Sequence, residues 1–548
     1  MEKSASSASS ARWIGNDKEL RTGVTAFKEA VANVGRPVFV VGPSDASAVT
    51  HNGTMIWGSA PDIVLQGRPL LGFAPPVQPM NLGDPLFKRD LSIRYAYVIG
   101  AMANGITSVE MVRAAGEAGM IGFFGAGGLS LGQIESAIDR LTSGRDGVPF
   151  GFNLIHSPND PQLEEAVVNL YLRKKIRLVS ASAYLGLTLS LVYYRIKGIH
   201  QAQDGHIVCP NHIVAKVSRI EVASKFFAPP PEKFLKTLVE QGRITEREAL
   251  LAERIPLAQD LTAEADSGGH TDNRPALTML PTFMALRDEA MQRYRFPSPL
   301  RVGLGGGIAT PDSAAAAFAM GAAYVLTGSI NQACVEADTS DAVREMLAQA
   351  QQADVIMAPS ADMFEMGVKV QVLKRGTMFA MRAARLYELY RTYDRYEQIP
   401  DTVRATVEKD FLQASFEEAW GQTRQFFEQR DRVQIDRAER DPKHKMALVF
   451  RSYLGRASLW AKSGDPARKI DYQIWCGPAM GAFNAWAKGS ILEPPQNRHV
   501  ATIGMNLLYG AAGLMRCNWL RSQGIIVPSQ AAVFRPMEPA EIQRRTSC

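Results

Sequence analysis

In 548 residues, 61 Lys and Arg stand against 55 Asp and Glu, a net charge of +6, with 46% hydrophobic and 21% charged residues. This composition excludes a disordered chain and leaves room for roughly 100–200 residues per domain, or for one (β/α)8 barrel of about 250 residues with additions. The mildly basic balance comes without a Lys/Arg block, so it argues for no nucleic acid and suits an acidic protein partner.

In chain order, the first ten residues carry no apolar segment of a secretory signal and read as a frayed tail. Residues 1–93 form a small mixed appendage, with turn-forming Gly and Pro from Gly67 to Pro85. From 94 to about 335, short β-rich runs alternate with amphipathic segments, the pattern of βα units around a parallel sheet. The strands expected are 95–100, 119–124, 149–155, 177–182, 212–217, 260–264, 300–303 and 323–327. They make a complete set for an α/β fold of the TIM (β/α)8 type, with a doubly wound sheet of fewer strands as the competitor. An insertion at about 229–258 opens on Pro229-Pro230-Pro231 and is amphipathic from 232 to 254. Residues 336–548 read as a mostly helical region, more aromatic and Gly-rich from Tyr472 onward. The charge-free stretch 313–335 is long enough for a membrane span but is broken by Gly321, Thr327, Gly328, Ser329 and Asn331, so a helix and a buried strand fit it better. The five cysteines (Cys209, Cys334, Cys476, Cys517 and Cys548) are scattered without a C-x-x-C pair. They point away from a disulfide framework and toward a reducing, cytoplasmic compartment.

The strongest local signal is RVGLGGGIATPDSAAAAFAMGAAYVLTGS, residues 301–329. A strand runs into Gly305-Gly306-Gly307, then comes a helix with Thr310 as N-cap and Pro311 at its first position, then a strand ending in Thr327-Gly328-Ser329. Glycine lets backbone N–H groups approach an anion, and consecutive loops after strands seven and eight form the usual phosphate site of such barrels. A dinucleotide fingerprint is excluded, because Ile308 stands where its last glycine belongs. The second signal is EADSGGHTDNRP, residues 264–275. Here Gly268 and Gly269 fold a tight loop, and His270 stands at the C-terminal rim, where it could polarise a carbonyl or donate a proton. A loop histidine bonded to backbone carbonyls is the plainer alternative.

Gly100-Ala101-Met102, Phe152-Asn153-Leu154, GGH at 268–270, GGGI at 305–308 and TGS at 327–329 occur in the order found in FMN-dependent enoyl-acyl-carrier-protein reductases and nitronate monooxygenases. AKVSR (215–219), EADSGGHTDNRP, FNAWAKGS (483–490) and PPQNRHV (494–500) resemble more closely the PfaD family, trans-acting enoyl reductases of polyunsaturated fatty acid and polyketide synthases. The resemblance runs from about Leu82 over nearly the whole remaining chain. It implies an FMN barrel in which Gly100, Ala101 and Met102 line the flavin ring and Asn153 bonds it. Gly305, Gly306, Gly307, Thr327, Gly328 and Ser329 would cradle the phosphate, with Gly268 and Gly269 close by, and His270 would face the substrate. Lys216 departs from the small residue common in the wider superfamily. A strand-end cation there would stabilise anionic reduced flavin, or else form a rim salt bridge.

The activity so implied reduces the 2,3-double bond of an enoyl thioester presented by an acyl carrier protein domain of a polyketide or fatty acid synthase. NADPH or NADH would be the reductant, with no metal and no membrane, and the reading is compatible with a homodimer. A nitronate monooxygenase-like oxidase and a non-catalytic docking scaffold are the alternatives. Three weaker patterns have plainer explanations. Gly128-Leu129-Ser130-Leu131-Gly132 fits a nucleophile elbow, but Ser130 and Gln133 also make a capping box. His200, Asp204, His206, Cys209 and His212 crowd one loop at spacings that match no common structural zinc site. The basic-aromatic run 382–395 has Leu386, Leu389 and Tyr390 at helical spacing and interspersed acids, as in a helix packed on the barrel.

Overall fold

The computed structural model describes residues 10–43, 47–58, 67–143, 147–157, 160–428 and 430–547. Residues 1–9 and Cys548 therefore lie outside it, and Ser10, read as tail, opens the strand Ser10–Ile14. Eight parallel strands close into a barrel in chain order: Tyr97–Ile99, Ile121–Phe124, Gly151–Ile155, Leu178–Ser182, His212–Val217, Asp260–Glu264, Arg301–Gly305 and Val325–Thr327. All eight fall on the expected segments, and closure excludes the doubly wound alternative. Most are buried along their whole length, as near-continuous apolar runs require when helices cover a parallel sheet. The helices between them start where the local chemistry dictates. Ser108, Ser130, Asp160, Thr188 and Thr310 each accept a backbone N–H in the first turn of the helix that follows. The charge-free stretch is the helix Pro311–Ala319 followed by the last barrel strand. Among the described residues, no helix is long and apolar enough to cross a membrane.

The N-terminal end of the barrel is plugged. Helix Pro85–Asp90, capped by Asp84, lies against it, with Phe87 stacked on Tyr324 at 4.2 Å between ring centroids. Arg301 is buried with its guanidinium on Asp260 at 2.6 and 3.0 Å and on Asp90 at 2.8 Å. Removing one member of such a buried pair costs about 3–5 kcal/mol, because the partner charge is then stranded out of water. His212 opens its strand at this end, near the same charges.

Before the barrel, a five-stranded antiparallel sheet carries the helix Gly23–Ala32. One of its central strands is Arg68–Ala74, in a stretch read as turns from its Pro and Gly. Pro69 sits at the strand's second residue, where a missing N–H is tolerated. Gly72 is small because Ile525 packs over it: a Cβ there would lie 2.7 Å from Ile525 Cγ1. The insertion forms two helices, Glu232–Glu240 and Glu246–Ala252. The region after the barrel is mostly helical, as expected, but contains an unexpected antiparallel pair, Val355–Pro359 and Lys369–Leu373. Helix Phe379–Thr392 buries Leu386 and Leu389 against this pair and helix Pro442–Ser463, within a second core rather than on the barrel. Helix Val500–Ser522 joins the extremes of the chain. It packs on Pro311–Ala319 and also sends Arg516 to the carbonyls of Val31, Asn33 and Arg36 at 2.6–2.9 Å.

Burial, then the Arg195 charge, hold His212 down at about 4, with Asp90 opposing. In the unfolded chain a histidine titrates near 6.5, so the unfolded state takes up a proton that the fold refuses between pH 6.5 and 4, and stability falls across that window as pH falls. Urea titrations at pH 7 and pH 5 should show a smaller loss for His212→Gln than for the parent chain; equal losses would mean that His212 does not report the barrel plug.

Candidate active site at the barrel mouth

At the C-terminal end, three neighbouring strands finish in glycine or are followed directly by one: Gly305, Gly328 and Gly100. Gly306 and Gly307 follow Arg301–Gly305 with φ of +87° and +74°. A Cβ on Gly306 would meet the Ala265 carbonyl at 2.6 Å, so only glycine lets this turn pass over the neighbouring loop. A Cβ on Gly307 or Gly328 would meet nothing within 4 Å. Among the described residues, the backbone N–H groups of Gly306, Gly307, Gly328 and Ser329 donate to no protein acceptor. Donors left free beside glycines that face open space fit the phosphate of FMN. Gly305 packs on Thr262, and Thr327 is buried, bonded to Tyr97 and to the Asn331 amide.

Gly100 lies beside them across the closure of the barrel, its N–H on the Thr327 carbonyl at 2.9 Å. Thr107 pins the turn that follows. Its hydroxyl donates to Gly100 O at 2.8 Å and accepts from Met102 N at 2.9 Å, which fixes the half-buried Ala101 and Met102.

The opposite half of the mouth is polar. In parallel strands directly paired residues share a face, and so do residues two apart. Asn153 pairs with Ser180, Ser180 with Val214, Lys216 with Thr262, and Glu264 with Gly305, so Asn153, Ser182, Lys216, Glu264 and Gly305 share the inner face. Their contacts agree. Asn153 Nδ2 donates to Ser180 O at 3.0 Å and Ser182 Oγ at 2.9 Å, and Asn153 Oδ1 faces Gly127. Lys216 Nζ is ion-paired with Glu264 Oε1, which also accepts from Ser267 Oγ at 3.3 Å. The rim salt bridge is therefore what Lys216 makes, and it points into the mouth.

His270 is not on a free loop. Gly269–His270 forms a short strand paired with Lys369–Leu373, and His270 Nε2 lies 3.1 Å from Asp362 Oδ2. A second distant segment crosses the same loop. Leu373 N donates to Ile474 O at 2.8 Å and Cys476 N to Gln371 O at 3.3 Å, carrying the chain to Gly477, whose N–H donates to Ser329 Oγ at 3.0 Å. Gly268 and Gly477 touch back to back. A Cβ on Gly268 would lie 2.9 Å from Gly477 N, and one on Gly477 2.8 Å from Gly268 N.

The structure thus gathers Gly100, Ala101, Met102, Asn153, Lys216, Gly268, Gly305, Gly306, Gly307, Thr327, Gly328 and Ser329 at one mouth, with Gly269 and His270 on its rim. Sequence reasoning missed Thr107, Glu264, Asp362 and Gly477. Only Glu264 had a local signal, as the first residue of EADSGGH. Ser130 is the capping residue of its helix, bonded to Gln133. In the histidine-rich loop, His206 pairs with Asp204 while the Cys209 thiol turns to the Arg195 carbonyl at 3.1 Å. Among the described residues, no group of three His, Cys, Asp or Glu side chains could hold a metal ion.

Residues 86–407 match the model of the nitronate monooxygenase family, and residues 393–472 match that of the inserted helical domain of [acyl-carrier-protein] S-malonyltransferase. The chain is 46% identical to one of the polyunsaturated fatty acid synthase subunits of a Thraustochytrium species, over 82% of this chain and 31% of that protein. It is also 46% identical to the polyketide biosynthesis protein PksE of Bacillus subtilis, over 82% of this chain and 58% of that one. It therefore spans less than two thirds of the length of either. The crystal structure of the enoyl reductase domain of MlnA, from the macrolactin biosynthesis cluster of Bacillus amyloliquefaciens, superposes with a TM-score of 0.77 at 39% identity, covering 81% of this chain and 99% of that domain. The fold, the glycine-lined mouth and these matches agree: the chain belongs to the nitronate monooxygenase family, and within it is similar to the enoyl reductase domain of MlnA along 99% of that domain.

Proposed function

We propose that this chain is an FMN-dependent enoyl reductase that acts in trans, reducing the 2,3-double bond of an enoyl thioester carried on an acyl carrier protein during polyketide or polyunsaturated fatty acid synthesis, with NADPH or NADH as reductant. The observation that carries the reading is the mouth itself: two glycine turns with free N–H groups on adjacent strands, facing a polar half and a histidine rim. The match to the MlnA domain along nearly its whole length supports the same activity.

Bound FMN would supply the hydride that goes to Cβ. The N–H groups of Gly306, Gly307, Gly328 and Ser329 would hold its phosphate, and Gly100, Ala101 and Met102 would line the ring. Asn153 has its amide nitrogen committed to Ser180 and Ser182, so its Oδ1 is the atom that would accept from the ring. As Cβ accepts hydride, negative charge gathers on the thioester oxygen, and His270 would donate a hydrogen bond to it while Cα takes a proton. Carrier proteins are acidic as a rule, and a chain of net charge +6 suits that encounter. The reading further gives a cytoplasmic enzyme, without metal and compatible with a homodimer, whose helices after residue 336 dock the carrier.

Purified protein should be yellow with stoichiometric FMN, and should oxidise NADPH only when an enoyl thioester such as crotonyl-carrier protein is present. Rapid oxygen consumption with nitronates and indifference to NADPH would replace the reading with the oxidase, and a colourless protein that still binds carrier would replace it with the scaffold. His270→Ala should keep its flavin and lose about a hundredfold in turnover; unchanged turnover would remove His270 from the chemistry. Gly477→Ala puts a Cβ 2.8 Å from Gly268 N and forces the two backbones apart, and flavin fluorescence quenching on the apoprotein should show FMN binding weakened about tenfold. Equal affinity would mean that the crossing of Gly268 and Gly477 does not shape the cradle.

A further inference from the structure

The inner face of the mouth holds one ion pair that the reading above does not use as a pair. Lys216 and Glu264 end neighbouring strands and point to the same side, and their side chains are only 23% and 15% exposed. A pair so enclosed is screened less than one at the surface, so its charges are felt across the mouth. Glu264 is doubly anchored, by Lys216 Nζ and by Ser267 Oγ. Ser267 immediately precedes Gly268, so the carboxylate also ties the ammonium to the loop that carries His270. Gly305 faces Glu264 across the ladder, which sets the pair one strand away from the glycine turns.

A long, flexible lysine side chain in water has no fixed place. The carboxylate gives this one a fixed place and cancels its charge at the same time. We propose that Glu264 is a positioning residue that acts through Lys216: it holds the ammonium on the inner face of the mouth and compensates its charge, and so sets how strongly the mouth favours a negatively charged ring over a neutral one. The inference rests on the flavin reading and goes beyond it in assigning Glu264 and the pair. The consequence is a sign. Taking away the carboxylate leaves an uncompensated cation and favours the reduced, anionic ring. Taking away the ammonium does the reverse.

The measurement is the midpoint potential of the bound flavin, by reductive titration of the holoenzyme against a reference dye. Glu264→Gln should move the equilibrium at least tenfold toward reduced flavin, about 30 mV positive for a two-electron couple. Lys216→Met should move it at least tenfold the other way, Lys216→Arg should stay near the parent value, and the double variant should fall between the two single ones. Shifts of the same sign in Glu264→Gln and Lys216→Met, or no shift in either while FMN stays bound at one equivalent, would overturn the proposal. Should Glu264→Gln fail to fold, Lys216→Met against Lys216→Arg still decides whether the ammonium charge acts on the ring, and equal potentials in those two overturn the proposal. A parent protein that binds no flavin would instead overturn the reading on which it rests.

Discussion

The mouth depends on the hydrogen-bonded closure of the barrel between its last strand and its first. Leu326 pairs with Val98 and Thr327 with Ile99, and one step further the Gly100 N–H reaches the Thr327 carbonyl. Without that ladder, Gly100 and Gly328 would be separated by more than two hundred residues of chain; with it, they are neighbours. Closure also leaves no strand edge within the barrel, so among the described residues the free donors of Gly306, Gly307, Gly328 and Ser329 lie beyond the strands, in the turns. The turns are glycine where chain must pass over chain, as at Gly306, or where the space beside the backbone stays open, as at Gly307 and Gly328.

The same closure divides the mouth into two chemistries. Strands seven, eight and one end in backbone, whereas strands three to six end in side chains: Asn153, Ser182, Lys216 and Glu264. At the other end of the barrel, Arg301, Asp260 and Asp90 spend their hydrogen bonds on one another under the stacked rings of Phe87 and Tyr324. That end is sealed by this ion network. The N-terminal plug and the C-terminal mouth are thus set by which end of each strand carries charge with a partner built in and which carries amides without one.

What could be read from sequence was local. The barrel strands are short, mostly apolar runs, five of the helices around them start after a capping Ser, Thr or Asp, and the two glycine turns lie in one unbroken motif. The strand Arg68–Ala74 was hidden because Pro69 and Gly72 look like turn residues; their reasons, a tolerated strand-start position and the close approach of Ile525, lie elsewhere in the fold. The pair Val355–Pro359 and Lys369–Leu373 did leave a trace, since Val370 and Val372 are buried on one side of Gln371, but the helical charge pattern around it dominated the reading. Gly477 on Ser329 and Asp362 on His270 are contacts across 148 and 92 residues, and no spacing rule within a motif reaches that far.

Those long contacts bear on how the rim histidine is held. The His270 and Asp362 side chains are 40% and 59% exposed, and an ion pair that open contributes about 0–1 kcal/mol, too little to fix a ring against thermal motion. The backbone does the holding instead. Gly269 pairs with Gln371 and His270 with Val370, and Gln371 in turn accepts the N–H of Cys476, so the loop after the sixth strand is one layer of a small sheet whose other layers come from the region beyond the barrel. The back-to-back contact of Gly268 with Gly477 closes that layer from the other side. On this geometry the long C-terminal region is not an addition to a finished active site: the barrel supplies the glycine turns and the ion pair, and the region beyond it supplies the frame on which the histidine stands.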